Sequence, residues 1–190
     1  MEKNQFNHIK IHTHYSICEG AIKISELRDF CKEQKIKAIG LNDSHNLFGA
    51  LEFSENISKI GTQPIIGSQI NFKYKNTIGQ LCLIATNING YKKIVELSSK
   101  SYLENDNLND PHCSLDELFN INEGVIVLTG SVKGLFGIML EKGFDNEINE
   151  LFIKISKHLK NNFYIEIQRH GDVNEKKFEN FLLEKSYKLN

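Results

Sequence analysis

Short apolar segments alternate with segments of helical periodicity along almost the whole chain. The apolar segments include KAIGL (37–41), PIIGSQINF (64–72), QLCLIA (80–85) and GVIVLTG (124–130). The segments with helical spacing are 25–35, 47–60, 87–102, 134–142, 146–159 and 173–188. This rhythm is typical of βα units, in which helices connect parallel strands. We therefore predict an α/β fold of about six such units, arranged as an open sheet or as a barrel.

Two of the predicted helices have an apolar face that indicates how they pack. The segment 25–35 is predicted to begin at a Ser25 cap and to bury one side, formed by Leu27, Phe30 and Cys31. The segment 47–60 is predicted to end at Gly61 and to place four residues in the core: Leu47, Phe48, Leu51 and Phe53.

The composition restricts the class of protein. With 190 residues, of which 40% are hydrophobic, we expect one globular domain of ordinary size spanning 1–190 with a true core. A formal net charge of −1 supplies no overall positive field for nucleic acid or an anionic membrane. We expect a cytoplasmic protein, because the sequence has no apolar signal core, no membrane span and no C-x-x-C pair among Cys18, Cys31, Cys82 and Cys113.

Polar residues collect where the predicted strands end. In HIKIHTHYSICEG (8–20), the side chains of His8, Lys10 and His12 project together because strand side chains alternate between faces. Other polar residues lie in or directly after later strands: Asp43, Ser44, His45, Gln69, Gln80, Arg169 and His170. Because the carboxyl ends of parallel strands converge, a barrel would bring His12, His45 and His170 to one mouth.

Two interpretations of this crevice are open. The first is a metal centre of imidazoles with Asp43 and Glu19 as oxygen ligands, which would activate water for phosphoester hydrolysis. The second is a polar pocket whose groups satisfy one another without a metal. Lys10 favours the pocket because an ammonium group repels a dication, and Gln69 and Gln80 favour it because hard metals prefer carboxylate or imidazole ligands.

Six motifs in order resemble the PHP (polymerase and histidinol phosphatase) domain of the bacterial DNA polymerase III alpha subunit family. They read FNHIKIHTHYSICEGAIKISEL, AIGLNDSHNLFGALEF, PIIGSQINF, LIATNINGYKKIVELSSKSYL, GVIVLTGSVKGLFG and FYIEIQRHG. The resemblance implies a distorted (β/α)7 barrel of parallel strands with a metal cluster at the strand ends. It also implies that the barrel is incomplete at the C-terminus of this chain and that all polymerase domains lie outside it.

The resemblance assigns nine positions to the family's metal site: Lys10, His12, Glu19, Asp43, Ser44, His45, Gln69, Gln80 and His170. Lys10, Ser44 and Gln80 stand where the family has metal-ligand histidines, and Gln69 stands where it has a glutamate. Asp43 and His170 match the family pattern, Glu19 replaces an aspartate, and a histidine appears one place late at His45. The comparison therefore implies a vestigial site with no bound metal, no catalytic residue and no cofactor.

The resemblance further implies a structural role in DNA replication. The expected partners are the remainder of a polymerase chain, a proofreading 3′–5′ exonuclease subunit, and DNA through the holoenzyme; no membrane is expected. The parent would be a Mg-dependent DNA-directed DNA polymerase, a nucleotidyltransferase. We expect Lys10 to pair with Asp43 or Glu19, replacing lost metal charge. The alternative is a Zn-, Mn- or Fe-dependent phosphoesterase or 3′–5′ exonuclease with a rearranged site of His12, Glu19, Asp43, His45 and His170.

Overall fold

The structure is a computed structural model that describes residues 6–105, 109–121 and 123–189. The strands of the described residues are β1 (Ala38–Ser44), β2 (Gln63–Tyr74), β3 (Thr77–Ala85), β4 (Cys113–Ser114), β5 (Val125–Leu128) and β6 (Phe163–Tyr164). The α-helices are α1 (Ile24–Gln34), α2 (Ala50–Ser58), α3 (Ile88–Leu103), α4 (Leu115–Phe119), α5 (Leu135–Glu141), α6 (Asp145–Leu159) and α7 (Glu175–Leu189). The α/β prediction is confirmed. In the described part of the chain, no helix is both long and apolar enough to cross a membrane.

The strands form one mixed sheet in the order β1-β2-β3-β5-β6, with β4 paired to β2. β1 and β2 are parallel, with Ala38 opposite Gln63 and Ser44 opposite Gln69. Only residues 75–76 separate β2 from its neighbour β3. A connection of two residues reverses the chain, so these strands are antiparallel and the sheet is not purely parallel as predicted. The strand path of the described residues does not close.

The first of two compact units comprises the chain up to Ile70, together with Leu83–Ser99 and Glu123–Val125. Its core is a cluster from α1, β1 and α2 and the chain around them: Ile24, Leu27, Cys31, Ile36, Ile39, Leu41, Ala50, Phe53 and Ile57. Each fully buried Leu, Ile or Phe contributes roughly 1.5–3 kcal/mol of hydrophobic stabilisation. The segment 8–13 runs beside β1. In place of the predicted strand 8–12, the described residues of this segment form isolated bridges, from Ile11 to Leu41 and from Thr13 to Ile22.

The predicted faces of α1 and α2 are partly wrong. The N-cap of α1 is Lys23, without a side-chain cap bond, and Phe30 is 45% exposed. In α2 the buried residues are Ala50, Phe53 and Ile57, whereas Phe48 is 74% exposed and Leu51 is 72% exposed. Each residue turns a helix by about 100°, so a face through position 50 leaves position 51 outside. The core therefore receives Phe53 as predicted, but not Phe48 or Leu51.

The second compact unit comprises Asn71–Cys82, Lys100–Asn122 and Ile126–Asn190. Its centre is aromatic: the Phe152 ring lies 5.3 Å from that of Phe136 and 5.2 Å from that of Phe163. β5 and β6 pair in parallel, with Val127 opposite Phe163. The segment NFYIEIQRHG (162–171) has the composition of a strand that runs into a loop, but only the two residues of β6 form a strand there. The sequence from 104 to 110 is mostly polar, and part of it lies outside the described residues.

Candidate functional site

A buried carboxylate organises the polar side chains of the first unit. Asp43 is only 1% exposed and is the second-last residue of β1, which extends three residues beyond the apolar segment 37–41. Its Oδ1 accepts hydrogen bonds from the Thr13 backbone N–H at 2.6 Å and from the Ser16 hydroxyl at 2.6 Å. Its Oδ2 accepts the Thr13 hydroxyl at 2.8 Å. Asp43 thus ties the segment after residue 12 to β1 through three hydrogen bonds.

A second chain of hydrogen bonds begins at Glu19. The Ser44 hydroxyl donates to Glu19 Oε2 at 2.5 Å and accepts from Gln69 Nε2 at 3.3 Å. The same Gln69 nitrogen lies 3.2 Å from His12 Nε2. Ser44 and Gln69 face each other because they are register partners on the parallel strands β1 and β2. The side chain at the end of β1 and its partner in the middle of β2 therefore satisfy each other directly.

His12 joins the two sets of hydrogen bonds. Its Nδ1 lies 3.3 Å from Ser16 Oγ, while its Nε2 faces the Gln69 amide. With the Gln69 amide donating to Nε2, the proton of neutral His12 lies on Nδ1 and points to Ser16. Ser16 in turn donates to Asp43. The result is a directed chain from Gln69 through His12 and Ser16 to the buried carboxylate.

His45 follows β1 in a left-handed conformation, with φ of 61°. Its backbone N–H donates to the Gln69 carbonyl at 2.8 Å, which extends the pairing of β1 and β2 by one residue. Burial lowers the pKa of the His45 imidazole, and the charge of Glu19 acts in the opposite direction. His45 is therefore held towards its neutral form by the interior of the first unit.

The other predicted site residues are placed separately. Lys10 is half-buried in the segment beside β1, and its ion pair with Asp43 or Glu19 stays a prediction. Gln80 belongs to the second unit, where it forms an isolated bridge with Gly134. His170 is exposed in the same unit, and its backbone N–H donates to the Glu175 carboxylate at 2.8 Å.

Sequence reasoning missed Thr13 and Ser16, which are both fully buried and bind Asp43. The Ser16 N–H donates to the Thr13 carbonyl at 2.9 Å, so a tight turn presents both hydroxyls to the same carboxylate. A Thr and a Ser three residues apart directly after a strand were the available signal. That signal is common in ordinary turns. The three neighbouring histidines are the more unusual feature of this stretch and indicate a metal site more directly.

The side chains as arranged do not fit the metal cluster that the resemblance implies. Both oxygens of Asp43 and both ring nitrogens of His12 are engaged by protein groups. Ser44 and Gln69 offer neutral oxygen or amide groups where a divalent metal favours carboxylate or imidazole. Within 6–105, 109–121 and 123–189, no three His, Cys, Asp or Glu side chains are grouped to hold a metal ion.

Comparison with known protein families gives one match over most of the chain. The matching family model is described as the PHP domain and covers residues 8–170.

The curated relatives include bacterial DNA polymerase III alpha subunits. That of Borreliella burgdorferi is 34% identical over 181 residues, which is 89% of this chain and 16% of the relative. That of Caulobacter vibrioides is 34% identical over 178 residues, or 90% of this chain and 16% of the relative. That of Buchnera aphidicola subsp. Schizaphis graminum is 30% identical over 195 residues, with 100% of this chain and 17% of the relative. The chain thus spans about one sixth of the length of these relatives.

Two solved structures share the fold. One is described as a candidate metal-dependent phosphoesterase from Bifidobacterium adolescentis, with a TM-score of 0.59, 11% identity, and coverage of 98% of this chain and 85% of that one. The other is an amidohydrolase from Chromobacterium violaceum with bound sulfate and no metal. Its TM-score is 0.58 at 9% identity, with coverage of 95% of this chain and 84% of that one. At these identities the likeness shows the fold alone.

Proposed function

The chain belongs to the PHP domain family, and from this premise we propose that it is the N-terminal PHP module of a bacterial replicative DNA polymerase, acting as a scaffold without hydrolytic activity. Its similarity to three DNA polymerase III alpha subunits over about one sixth of their length supports this placement. The parent protein would transfer nucleotides to DNA with Mg²⁺ in domains outside this chain. It would meet DNA through the holoenzyme in the cytoplasm.

The observation that carries the scaffold role is the hydrogen-bonded network that joins the end of β1 to the middle of β2. Ser44 and Gln69 link Glu19 to His12, and Ser16 links His12 to Asp43. A network of this kind rigidifies a site when its members are satisfied. Lys10 would add one fixed positive charge to a site that holds two carboxylates. In this proposal the network replaces metal ions as the support of the strand ends.

The proposed partners are the rest of the polymerase chain and a separate proofreading exonuclease subunit. A module whose site no longer performs chemistry retains its outer surfaces for protein contacts. Its contribution would be to hold the polymerase and the exonuclease together during DNA replication.

The metal-free site is tested by metal analysis of the chain purified from medium supplemented with zinc, manganese and iron. We expect far less than one ion per chain and no hydrolysis of a phosphodiester substrate. Stoichiometric metal that is lost in His12→Ala would contradict the proposal. It would support instead a phosphoesterase or 3′–5′ exonuclease that uses His12, Glu19, Asp43, His45 and His170.

The docking role is tested by mixing this chain with the purified proofreading exonuclease subunit of the same organism. We expect a complex that co-migrates in size-exclusion chromatography. An unrelated exonuclease of similar size and charge is the control. Separate migration of the chain and the cognate subunit would contradict the docking role and leave the metal result unaffected.

A further inference from the structure

Large apolar side chains are exposed on the first unit next to the polar network. Phe48 is 74% exposed, Leu51 is 72% exposed and Ile17 is 79% exposed. Phe48 lies in the turn that precedes α2, two residues before the helix begins at Ala50, and Leu51 lies in the first turn of the helix. Ile17 lies in the loop that contains Thr13 and Ser16. Together with Tyr15, these residues are called the α2 surface below.

Tyr15 connects the loop that contains Thr13 and Ser16 to helix α2. Its ring packs against Gly49, where an added Cβ would lie 2.7 Å from a ring carbon. Its hydroxyl donates to Glu52 Oε2 at 2.8 Å, and this hydrogen bond raises the pKa of Tyr15. The same added Cβ would lie 3.4 Å from Asp43 Oδ2, so the surface borders the buried carboxylate. The Asp43 network therefore also holds the α2 surface in place.

Arg28 of α1 reaches α2 through a hydrogen bond of 3.4 Å from its Nη1 to Asn56 Oδ1, but it is paired with Asp29. The charges of Glu52 and Glu19 are negative. Glu52 and Glu19 are exposed, and Glu52 accepts the Tyr15 hydroxyl but forms no ion pair with any described residue. In a symmetric dimer through this surface, the Glu52 side chains of two copies would be brought together and repel each other. A surface that offers lysine or arginine beside apolar side chains would be complementary instead.

We propose that the α2 surface docks a basic amphipathic helix of the polypeptide that this module braces. Phe48 and Leu51 are two large exposed apolar side chains where α2 begins, and the apolar face of an opposing helix would cover them. Lysine or arginine residues flanking the apolar face of that helix would lie near Glu52 and Glu19. This inference rests on the proposed scaffold role, because that role supplies the partner. The inference adds that the partner contacts the α2 surface, Glu52 and Glu19.

The apolar part of the proposal is tested with two labelled helical peptides of roughly 18 residues, long enough to form helix. Both carry leucine at the same heptad positions; one has lysine and the other glutamate at the flanking positions. In fluorescence anisotropy titrations of the 190-residue chain, we expect the lysine peptide to bind and the glutamate peptide not to bind. Phe48→Ser/Leu51→Ser should weaken binding at least tenfold. The control Val173→Ser/Tyr187→Ser, at side chains 92% and 84% exposed, should not change it.

The charge part is tested with Glu52→Gln, which should weaken binding of the lysine peptide several-fold at low salt and much less at high salt. Glu33→Gln, an exposed change of equal charge on α1, is the matched control. Circular dichroism checks folding; if the double variant is unfolded, Leu51→Ser alone takes its place. Equal binding of both peptides, or binding that the α2 variants leave unchanged, would overturn the proposal. Self-association that Phe48→Ser/Leu51→Ser abolishes would also overturn it, because the occupant would then be a second copy. If the chain bound the peptides as expected but did not bind the exonuclease subunit, the result would count against the proposed function and not against the docking of a helix on the α2 surface.

Discussion

At the scale of single residues, the hydrogen bonds of the buried Asp43 carboxylate explain most of the site. Asp43 is buried where two strands end, and hydroxyl and amide donors from the preceding turn satisfy both of its oxygens. The carboxylate thus serves as a structural anchor for the 13–16 turn. Ser44 and Gln69 complete the arrangement by bonding to each other across β1 and β2.

Replacing the Asp43 carboxylate tests this anchoring role. Asp43→Asn puts an amide NH₂ among the hydroxyl and N–H donors of Thr13 and Ser16 and removes the charge from their hydrogen bonds. We expect the free energy of unfolding to fall by about 2–4 kcal/mol, measured by urea denaturation. Asp29→Asn, at an exposed carboxylate of α1, should stay within about 0.5 kcal/mol of the parent. A loss at Asp43 no larger than at Asp29 would show that the network does not support the fold.

The lowered pKa of His45 predicts a pH dependence. In the unfolded chain its pKa returns to about 6.5, so below that pH the unfolded state binds more protons than the folded state. Stability is therefore complete above about pH 6.5 and falls as the pH drops towards the lower folded pKa. His45→Asn suits the left-handed φ of 61° and removes the titrating ring. Urea denaturation at about pH 7.5 and about pH 5.5 should show a smaller loss for His45→Asn than for the parent. Equal losses would contradict the assignment.

Placing a histidine at position 10 tests whether the hydrogen-bonded site can accept a metal ion. Lys10→His alone should not create a metal site, because Ser44 and Gln69 remain hydrogen-bonded to each other and are poor ligands for a divalent ion. Titration calorimetry with zinc should show no tight binding to this variant. His8→Ala in the same background controls for adventitious binding to surface imidazole. Tight, stoichiometric zinc binding that persists in this control would show that the missing ligands have been counted wrongly.

The sequence predicted that Ser44 and Gln69 are polar residues of the candidate site, but not how they bond. Ser44 ends β1 and Gln69 lies in the middle of β2, and the parallel register of the two strands brings them together. The roles of Thr13 and Ser16 depend on the turn that joins them, whose geometry is set by Asp43 from a distant part of the chain. Nothing in the local pattern distinguishes these hydroxyls from those of an ordinary turn.

At the scale of secondary-structure elements, helix register decides which apolar residues face the core. The segment 47–60 contains apolar residues on two sides of the helix, and both sides satisfy a helical period. Tertiary contact selects Ala50, Phe53 and Ile57, because α2 packs against α1 and β1. The hairpin of β2 and β3 was missed because two successive apolar strands were assigned to separate βα units.

The short helix α4 offers a test of local sequence signals. Ser114 and Glu117 form a reciprocal capping box: the Ser114 hydroxyl accepts the Glu117 N–H, and the Glu117 carboxylate accepts the Ser114 N–H. Ser114→Ala should cost about 1 kcal/mol of stability, measured by urea denaturation. Ser58→Ala, at the exposed end of α2, is the control and should change stability little. If Ser114→Ala and Ser58→Ala changed stability equally, the Ser114 cap would make no specific contribution to α4.

At the scale of the whole molecule, the described sheet ends in the two-residue strand β6 at one edge, and at the other edge the seven-residue strand β1 has only a bridged segment beside it. The segment before α1 bridges to β1 only at Ile11, and β6 pairs with β5 only through Phe163 and Tyr164. A short edge gives few ladder hydrogen bonds and opens more readily than a long one. The exposed α2 surface adds apolar area that burial in a larger assembly would cover.

These features predict modest stability for the 190-residue chain on its own. A sheet that does not close lacks the mutual support that full closure gives to the strands of a barrel. We therefore expect cooperative melting below about 65 °C by differential scanning calorimetry, within the usual range for mesophilic domains. Binding of the lysine peptide should raise the melting temperature, since a ligand that binds only the folded state stabilises it. The glutamate peptide is the control for this shift. Melting well above about 65 °C without any partner would show that the open edges cost little, and that the module needs no larger chain to hold its fold.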